Sequence, residues 1–324
     1  MRQLAAFVLV VLSALFLGAL PTPGESVGSL ELAHARGVAH TPDVEIAYET
    51  LGKQGTALPV IAINGGPGLT HAYMVQNDLW ERIAKNRLVV FYDQRGTGAS
   101  RPRREGTAAA ISQTMDAQVA DLEAVRQVLR LDQVALVGDS YGGLVAMAYA
   151  ASHPEHVAKL VLSDSPGPSW KSIVHVLPEV FPDVQEQNQN EAQKLGAQLA
   201  QDQRADAVAR AGLRNHFRMI FYSPEKRDAY MSRMGDLGFE PAVSEAVSKA
   251  TGDLDLSAKL AGFQFPTLVI TGRFDLNVAP LTAWRQAKAI PGAKLVIFEH
   301  SGHLPSYEEP EKYHEVLEDF LNQK

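Results

Sequence analysis

Six short apolar runs, each closed by turn or polar residues, constrain this chain most. They are PVIAING (Pro59 to Gly65), RLVVFYDQRG (Arg87 to Gly96), QVALVGDS (Gln133 to Ser140), KLVLSDSPG (Lys159 to Gly167), PTLVITGRFD (Pro266 to Asp275) and KLVIFEHSGH (Lys294 to His303). Runs this short, rich in Val, Ile and Leu and apolar on consecutive positions, read as strands buried on both faces of a parallel sheet. VEIAYETLG (Val44 to Gly52) alternates instead, as a half-buried strand does. Helical periods lie between the runs, at Asp116 to Arg130, Leu144 to His153, Thr282 to Ala289 and Glu311 to Leu321. Strand alternating with helix predicts an α/β fold, a mostly parallel central sheet with helices on both faces.

The rhythm breaks between the fourth and fifth runs. Residues 168–262 hold no strand-like run and are rich in Gln, Ala, Arg and Glu, with helical spacing in NEAQKLGAQLAQDQRADAVARAGLRNHF. This segment reads as a helical cap inserted into a core of residues 30–167 and 263–324. It leaves after one strand and returns before the next, which places it over the strands' C-terminal edge, where α/β folds bind ligands.

Composition narrows the partners. The net charge is −7 with no basic cluster, so nothing points to nucleic acid. The absence of cysteine rules out disulfides, thiolate metal sites, a cysteine nucleophile and a cysteine-borne lipid. The chain opens with one positive charge at Arg2, an apolar run from Leu4 to Leu20, and then Pro, Gly and Ser. That pattern predicts a signal peptide or N-terminal anchor over residues 1–24, hence a protein exported to the periplasm or medium, or held at the membrane by that segment alone.

The pattern G-x-S-x-G occurs twice, around Ser140 in GDSYG and around Ser26 in GESVG. Context separates them. Ser140 follows the apolar strand VALV and precedes the helical LVAMAYAASH, as a nucleophile on a tight strand-to-helix turn must. Ser26 sits in a Pro/Gly segment with no strand before it. A serine hydroxyl needs a base, and the base needs an orienting acid. In a fold of this kind the order is Ser, acid, His, with the partners just after late strands. Asp275 and His303 occupy those places. Their rivals are His300 for the base, and Asp253, Asp255 or Glu299 for the acid; the first two aspartates precede the strand instead of following it. Asp275 also suits a plain turn. Donors to an oxyanion are expected from the backbone N–H of Tyr141, next after the nucleophile, and of Gly66 in NGGPG (Asn64 to Gly68). Such chemistry needs no metal or organic cofactor.

NGGPG, FYDQRGTGAS, VGDSYGG, GRFD and SGHLPSYEEP occur in that order, and together they resemble the α/β-hydrolase family. More narrowly they are similar to its proline iminopeptidase (prolyl aminopeptidase) branch, over residues 30–167 and 263–324. The resemblance implies a catalytic triad of Ser140, Asp275 and His303, an oxyanion hole from Gly66 and Tyr141, and a loop braced by Asp93 and Arg95. It implies a serine peptidase that takes small-molecule or short-peptide substrates, releasing N-terminal proline or similar residues. There are departures. Asn64 stands where the branch usually has His, and Tyr141 where it often has Trp. The branch reads the substrate amine with cap glutamates near tryptophans. Here Trp170 is the insertion's one tryptophan, and among its glutamates Glu179, Glu225, Glu240 and Glu245 are not ranked by sequence. A carboxylesterase or lactonase, or a ligand-binding protein on a hydrolase scaffold, are the other readings; the oligomeric state is open.

Overall fold

The computed structural model describes residues 32–323 apart from 104–110, 175 and 235–236. The apolar N-terminal segment and Ser26 lie outside the described residues. The first half of the core runs β1 (His34–His40), β2 (Val44–Leu51), β3 (Val60–Ile63), α1 (Leu79–Ala84), β4 (Val89–Tyr92), the two-residue β5 (Arg101–Pro102), α2 (Met115–Val128), β6 (Val134–Asp139), α3 (Tyr141–Ser152) and β7 (Val157–Ser163). Helices follow: α4 (Leu177–Val180), α5 (Pro182–Gln198), α6 (Gln201–Met219), α7 (Pro224–Arg233), α8 (Pro241–Thr251) and α9 (Ser257–Leu260). The chain then returns through β8 (Thr267–Gly272), α10 (Pro280–Ala289), β9 (Lys294–Phe298), α11 (Pro305–Glu308) and α12 (Pro310–Asn322).

The strands form one sheet in the order β1-β2-β4-β3-β6-β7-β8-β9, with β5 paired to β2. From β4 to β9 all neighbours are parallel, whereas β1, β2 and β5 join antiparallel. Consecutive apolar residues explain the layers. In β3, Ile61 and Ile63 face a cluster with α2, α3 and α10, while Val60 and Ala62 face one with α1 and α12. Each fully buried Val or Ile side chain among these contributes about 1.5–3 kcal/mol.

Two strands differ from the sequence reading. β1 is HARGVAH, with no apolar run to mark it; as an edge strand it keeps most of its side chains exposed. β9 was expected to be buried on both faces, but as the opposite edge it exposes Lys294 and Ile297. An edge strand lacks a neighbour on one side, so an apolar run alone does not decide burial there.

Between β7 and β8 the described residues are helical, without a strand. Phe217, Ile220 and Tyr230 of this stretch pack with Leu69, Tyr73 and Leu304 of the core in an apolar cluster of their own. A buried glutamate adds a polar clamp. Glu308 accepts hydrogen bonds from the backbone N–H of Tyr222 (3.0 Å), Ser223 (2.8 Å) and Gly302 (2.7 Å). It thereby ties the start of α7 to the loop that carries His303.

Candidate active site

Ser140 is the one residue between β6 and α3, at φ 49° and ψ −123°. That backbone is strained for a side-chain-bearing residue, at about 1–3 kcal/mol. Hydrogen bonds on both sides hold it: Ser140 N–H donates to Ser163 O at 2.9 Å, and Gly143 N–H donates to Ser140 O at 2.9 Å. The glycines allow close approach. A methyl group at Gly142 would run into the Ile63 carbonyl, and one at Gly138 would lie 2.6 Å from Gly142 O. Helix α3 thus rests on the ends of β3 and β6, with Ser140 at their edge.

The loop after β9 brings His303 to this point, where its N–H donates to Ile220 O at 2.8 Å. His303 Nε2 lies 3.0 Å from Ser140 Oγ, and Nδ1 lies 2.7 Å from Asp275 Oδ2. Asp275 is fully buried. Its two oxygens divide the work: Oδ2 faces the imidazole, while Oδ1 accepts the backbone N–H of Asn277 and Val278 at 2.9 Å. The turn role and the histidine-orienting role therefore coexist in one carboxylate. A carboxylate facing Nδ1 fixes the proton there and leaves Nε2 to accept from a hydroxyl. Burial alone lowers the His303 pKa, but the charge and hydrogen bond of Asp275, with the charge of Asp139, raise it above the ordinary histidine value. A serine beside an imidazole so oriented has the arrangement that activates a hydroxyl as nucleophile.

Sequence reasoning missed two neighbours. Asn277 Nδ2 lies 3.2 Å from His303 Nε2. Asp164, at φ 48° after β7, puts a carboxyl oxygen within 4.8 Å of both Asp275 and His303 ligand atoms. Burial, and then the charges of Asp275 and Asp139, push its pKa well up. Its oxygens accept from Gly272 N–H and Ser163 Oγ, each at 3.0 Å, which anchors the carboxyl beside the Asp275–His303 pair. Nothing in local sequence marks Asp164, because its proximity arises from strand order.

The NGGPG loop after β3 faces the elbow. Asn64 Nδ2 donates to Gly65 O at 2.9 Å and to Leu69 O at 2.8 Å, closing the turn from inside. Gly65 C=O and Gly66 N–H belong to one planar trans peptide and point in opposite directions. Holding that carbonyl toward Asn64 turns the Gly66 N–H the other way, and Gly66, at φ 124°, lines the cavity. Asn64, a departure from the resembled peptidases, is thus the brace of this loop. The Tyr141 side chain points elsewhere: it stacks on Trp170, rings 5.6 Å apart, and donates to Gln118 Oε1 at 2.8 Å. What Tyr141 can offer the site is its backbone N–H, in the first turn of α3.

The rivals lie away from Ser140. His300 is exposed beside Tyr222. Glu299 pairs with Arg273 on the surface, and Asp253 with Lys171. Asp255 accepts from Ser257 N–H at 2.8 Å. Asp93 and Arg95 brace separate places: Asp93 holds Ala99 N–H and His71, while Arg95 forks onto Asp121 with two bonds of 2.7 Å. Of Glu179, Glu225, Glu240 and Glu245, none lines the cavity over Ser140. That cavity is about 150 Å³, floored by Gly66, Ser140 and His303 and roofed by Leu213, Phe217 and Phe239.

Residues 59–310 match the alpha/beta hydrolase fold family. Proline iminopeptidase of Lactobacillus delbrueckii subsp. bulgaricus is 29% identical over 285 residues, which cover 84% of this chain and 92% of that protein. Proline iminopeptidase of Heyndrickxia coagulans is 30% identical over 287 residues, covering 86% and 95%. Among solved structures, an enol-lactonase from Burkholderia xenovorans LB400 matches with TM-score 0.65 at 23% identity, over 86% of this chain and 97% of that one. An esterase from Rhodococcus sp. ECU1013 reaches 0.70 at 18%, over 90% and 98%. At those identities the two structures speak to the fold.

Proposed function

The chain belongs to the alpha/beta hydrolase fold family and is proline iminopeptidase-like, and from that premise we propose that it is a serine hydrolase releasing N-terminal proline or similar residues from short peptides. The observation that carries this reading is the unbroken line from Asp275 through His303 to Ser140, with contacts of 2.7 and 3.0 Å, opening into a small cavity. The proline iminopeptidases it resembles over most of their length support the substrate class.

In this mechanism His303 Nε2 takes the Ser140 proton as Oγ attacks the substrate carbonyl. Asp275 keeps the other imidazole proton on Nδ1 and stabilises the imidazolium that forms. The N–H groups of Gly66 and Tyr141 receive the oxyanion; removing one donor of this kind costs about 3–4 kcal/mol. His303 then protonates the departing amine, which leaves an acyl-enzyme on Ser140. Water, deprotonated by His303, attacks that ester, and the resulting imidazolium returns the proton to Oγ as the acyl group leaves as the free acid. The protein is further proposed to act outside the cytoplasm or at the membrane, on the strength of its first 24 residues.

The test pairs a fluorophosphonate probe with proline-arylamide turnover. Both are expected to vanish in Ser140→Ala. Labelling that survives in Ser140→Ala would refute the nucleophile. Turnover of short aryl esters with none of proline-arylamide would leave the hydrolase and replace the peptidase with an esterase or lactonase.

A further inference from the structure

We propose that Asp139, the residue before the nucleophile, reads the substrate's free amino group. The inference rests on the aminopeptidase reading above and supplies a recognition element that the insertion's glutamates do not. Among the described residues lining the cavity, Asp139 is the one carboxylate, and neither lysine nor arginine lines it. Asp139 is only 4% exposed. A carboxylate so deeply buried is costly unless a cation or several donors meet it.

The protein meets it halfway. Tyr73 donates its hydroxyl proton to Asp139 Oδ2, while the same hydroxyl accepts the Gly65 N–H at 2.6 Å. A phenol has one proton, so Asp139 receives one neutral hydrogen bond from Tyr73. No protein donor meets its other oxygen among the described residues. Burial pushes its pKa up to about 6, with Tyr73 and His303 pulling the other way, which leaves an ionised and under-compensated carboxylate at neutral pH.

Its place suits an amine beside the scissile bond. A methyl carbon built on Gly65 would lie 2.8 Å from both Ser140 Cβ and the Tyr73 hydroxyl. The hydroxyl that holds Asp139 and the carbon that carries the nucleophilic oxygen therefore flank the same point on the Gly65 backbone. In an α-aminoacyl substrate the amine is one carbon removed from the carbonyl that Ser140 attacks, so the two recognition points match in reach. Of the remaining walls, Leu69, Leu213, Phe217, Ile220 and Phe239 are apolar, while His216, Ser244 and Asn277 add polar groups. A void of about 150 Å³ takes a small ring, as a pyrrolidine is. A cationic secondary amine in a five-membered ring fits both the charge and the walls.

The experiment uses the full chain and two readouts. In the first, kcat/KM is measured for proline-arylamide and for an aryl propionate, which has no amine, in wild type and Asp139→Asn. Asparagine keeps an acceptor for Tyr73 and removes the charge. The arylamide-to-ester ratio is expected to fall about 10- to 100-fold. An equal fall for both substrates would make Asp139 a brace of the NGGPG loop and overturn the inference. The second readout needs no turnover. Prolinamide and the neutral cyclopentanecarboxamide are compared as protectors of Ser140 against fluorophosphonate labelling. Prolinamide is expected to protect at least about 10-fold more tightly in wild type, and the advantage to disappear in Asp139→Asn. Equal protection in wild type overturns the inference even if the peptidase reading stands. Selective protection without arylamide turnover would keep it and sink the peptidase reading. Asp139→Ser, also neutral, repeats both comparisons if the asparagine variant does not fold.

Discussion

Asn64→Ala tests whether the loop brace aims an oxyanion donor. The substitution frees two buried carbonyls, Gly65 O and Leu69 O, which accept from Asn64 at 2.9 and 2.8 Å. Leaving a buried acceptor unpaired costs about 1–3 kcal/mol. Asn64 Oδ1, however, is itself buried without a partner, and its removal returns a penalty of the same kind. The stability loss is therefore about 1–3 kcal/mol net, not the doubled figure. The catalytic effect is larger. With its carbonyl released, the Gly65–Gly66 peptide can rotate, and full loss of the Gly66 N–H sets a ceiling of about 3–4 kcal/mol, or 10²- to 10³-fold in kcat. Partial misalignment places the expected loss at about 10- to 100-fold. Steady-state kinetics on proline-arylamide and on an aryl ester, with a thermal melt alongside, measure both quantities. KM should stay within about 3-fold and both substrates should lose equally, because each forms the same oxyanion. A kcat within about 2-fold of wild type, beside a clear drop in melting temperature, would refute the reasoning and leave Asn64 as a support of the fold alone.

Two further outcomes follow from the same geometry. Asp275→Asn keeps an oxygen for the Asn277 and Val278 amides but turns an NH₂ toward His303 Nδ1, forcing the imidazole proton onto Nε2; kcat should fall about 10⁴-fold with little change in thermal midpoint. The acid limb of kcat/KM, which reports His303 in the free enzyme, should lie above the ordinary histidine value of 6.5, since Asp275 and Asp139 together raise it. Activity is then present above that limb and lost as pH falls through it. A limb at or below 6.5 on a non-titrating ester substrate would contradict the charge arrangement.

Sequence carried the central sheet because its strands are buried on both faces, and such burial demands apolar residues at consecutive positions. It carried Ser140, Asp275 and His303 because each sits where a strand ends, so chain order predicts their neighbourhood. The edges obeyed other rules. β1 needs only one apolar face and is held by main-chain pairing to β2, which leaves no compositional trace in HARGVAH. Asp139 was in plain view inside GDSYGG, yet its partner Tyr73 stands 66 residues earlier, and no local spacing links them. The insertion was legible as helix because helices bury one stripe, but which stripe faces Ser140 depends on how it docks. Its glutamates were candidates by charge, whereas the cavity is roofed by Leu213, Phe217 and Phe239.

The Glu308 clamp bears on how such a protein can be re-engineered. Caps look like interchangeable parts, joined to the core at two ends. Here the segment Ile220 to Ser223 also serves as the mounting of His303: Ile220 O receives the His303 N–H, and Glu308 grips Tyr222, Ser223 and Gly302 at once. A donor cap grafted across that segment would unseat His303 from Ser140, whatever substrate it was chosen to admit. Exchangeable material begins on either side of those four residues, so a graft that preserves them alters the cavity without disturbing the line from Asp275 through His303 to Ser140.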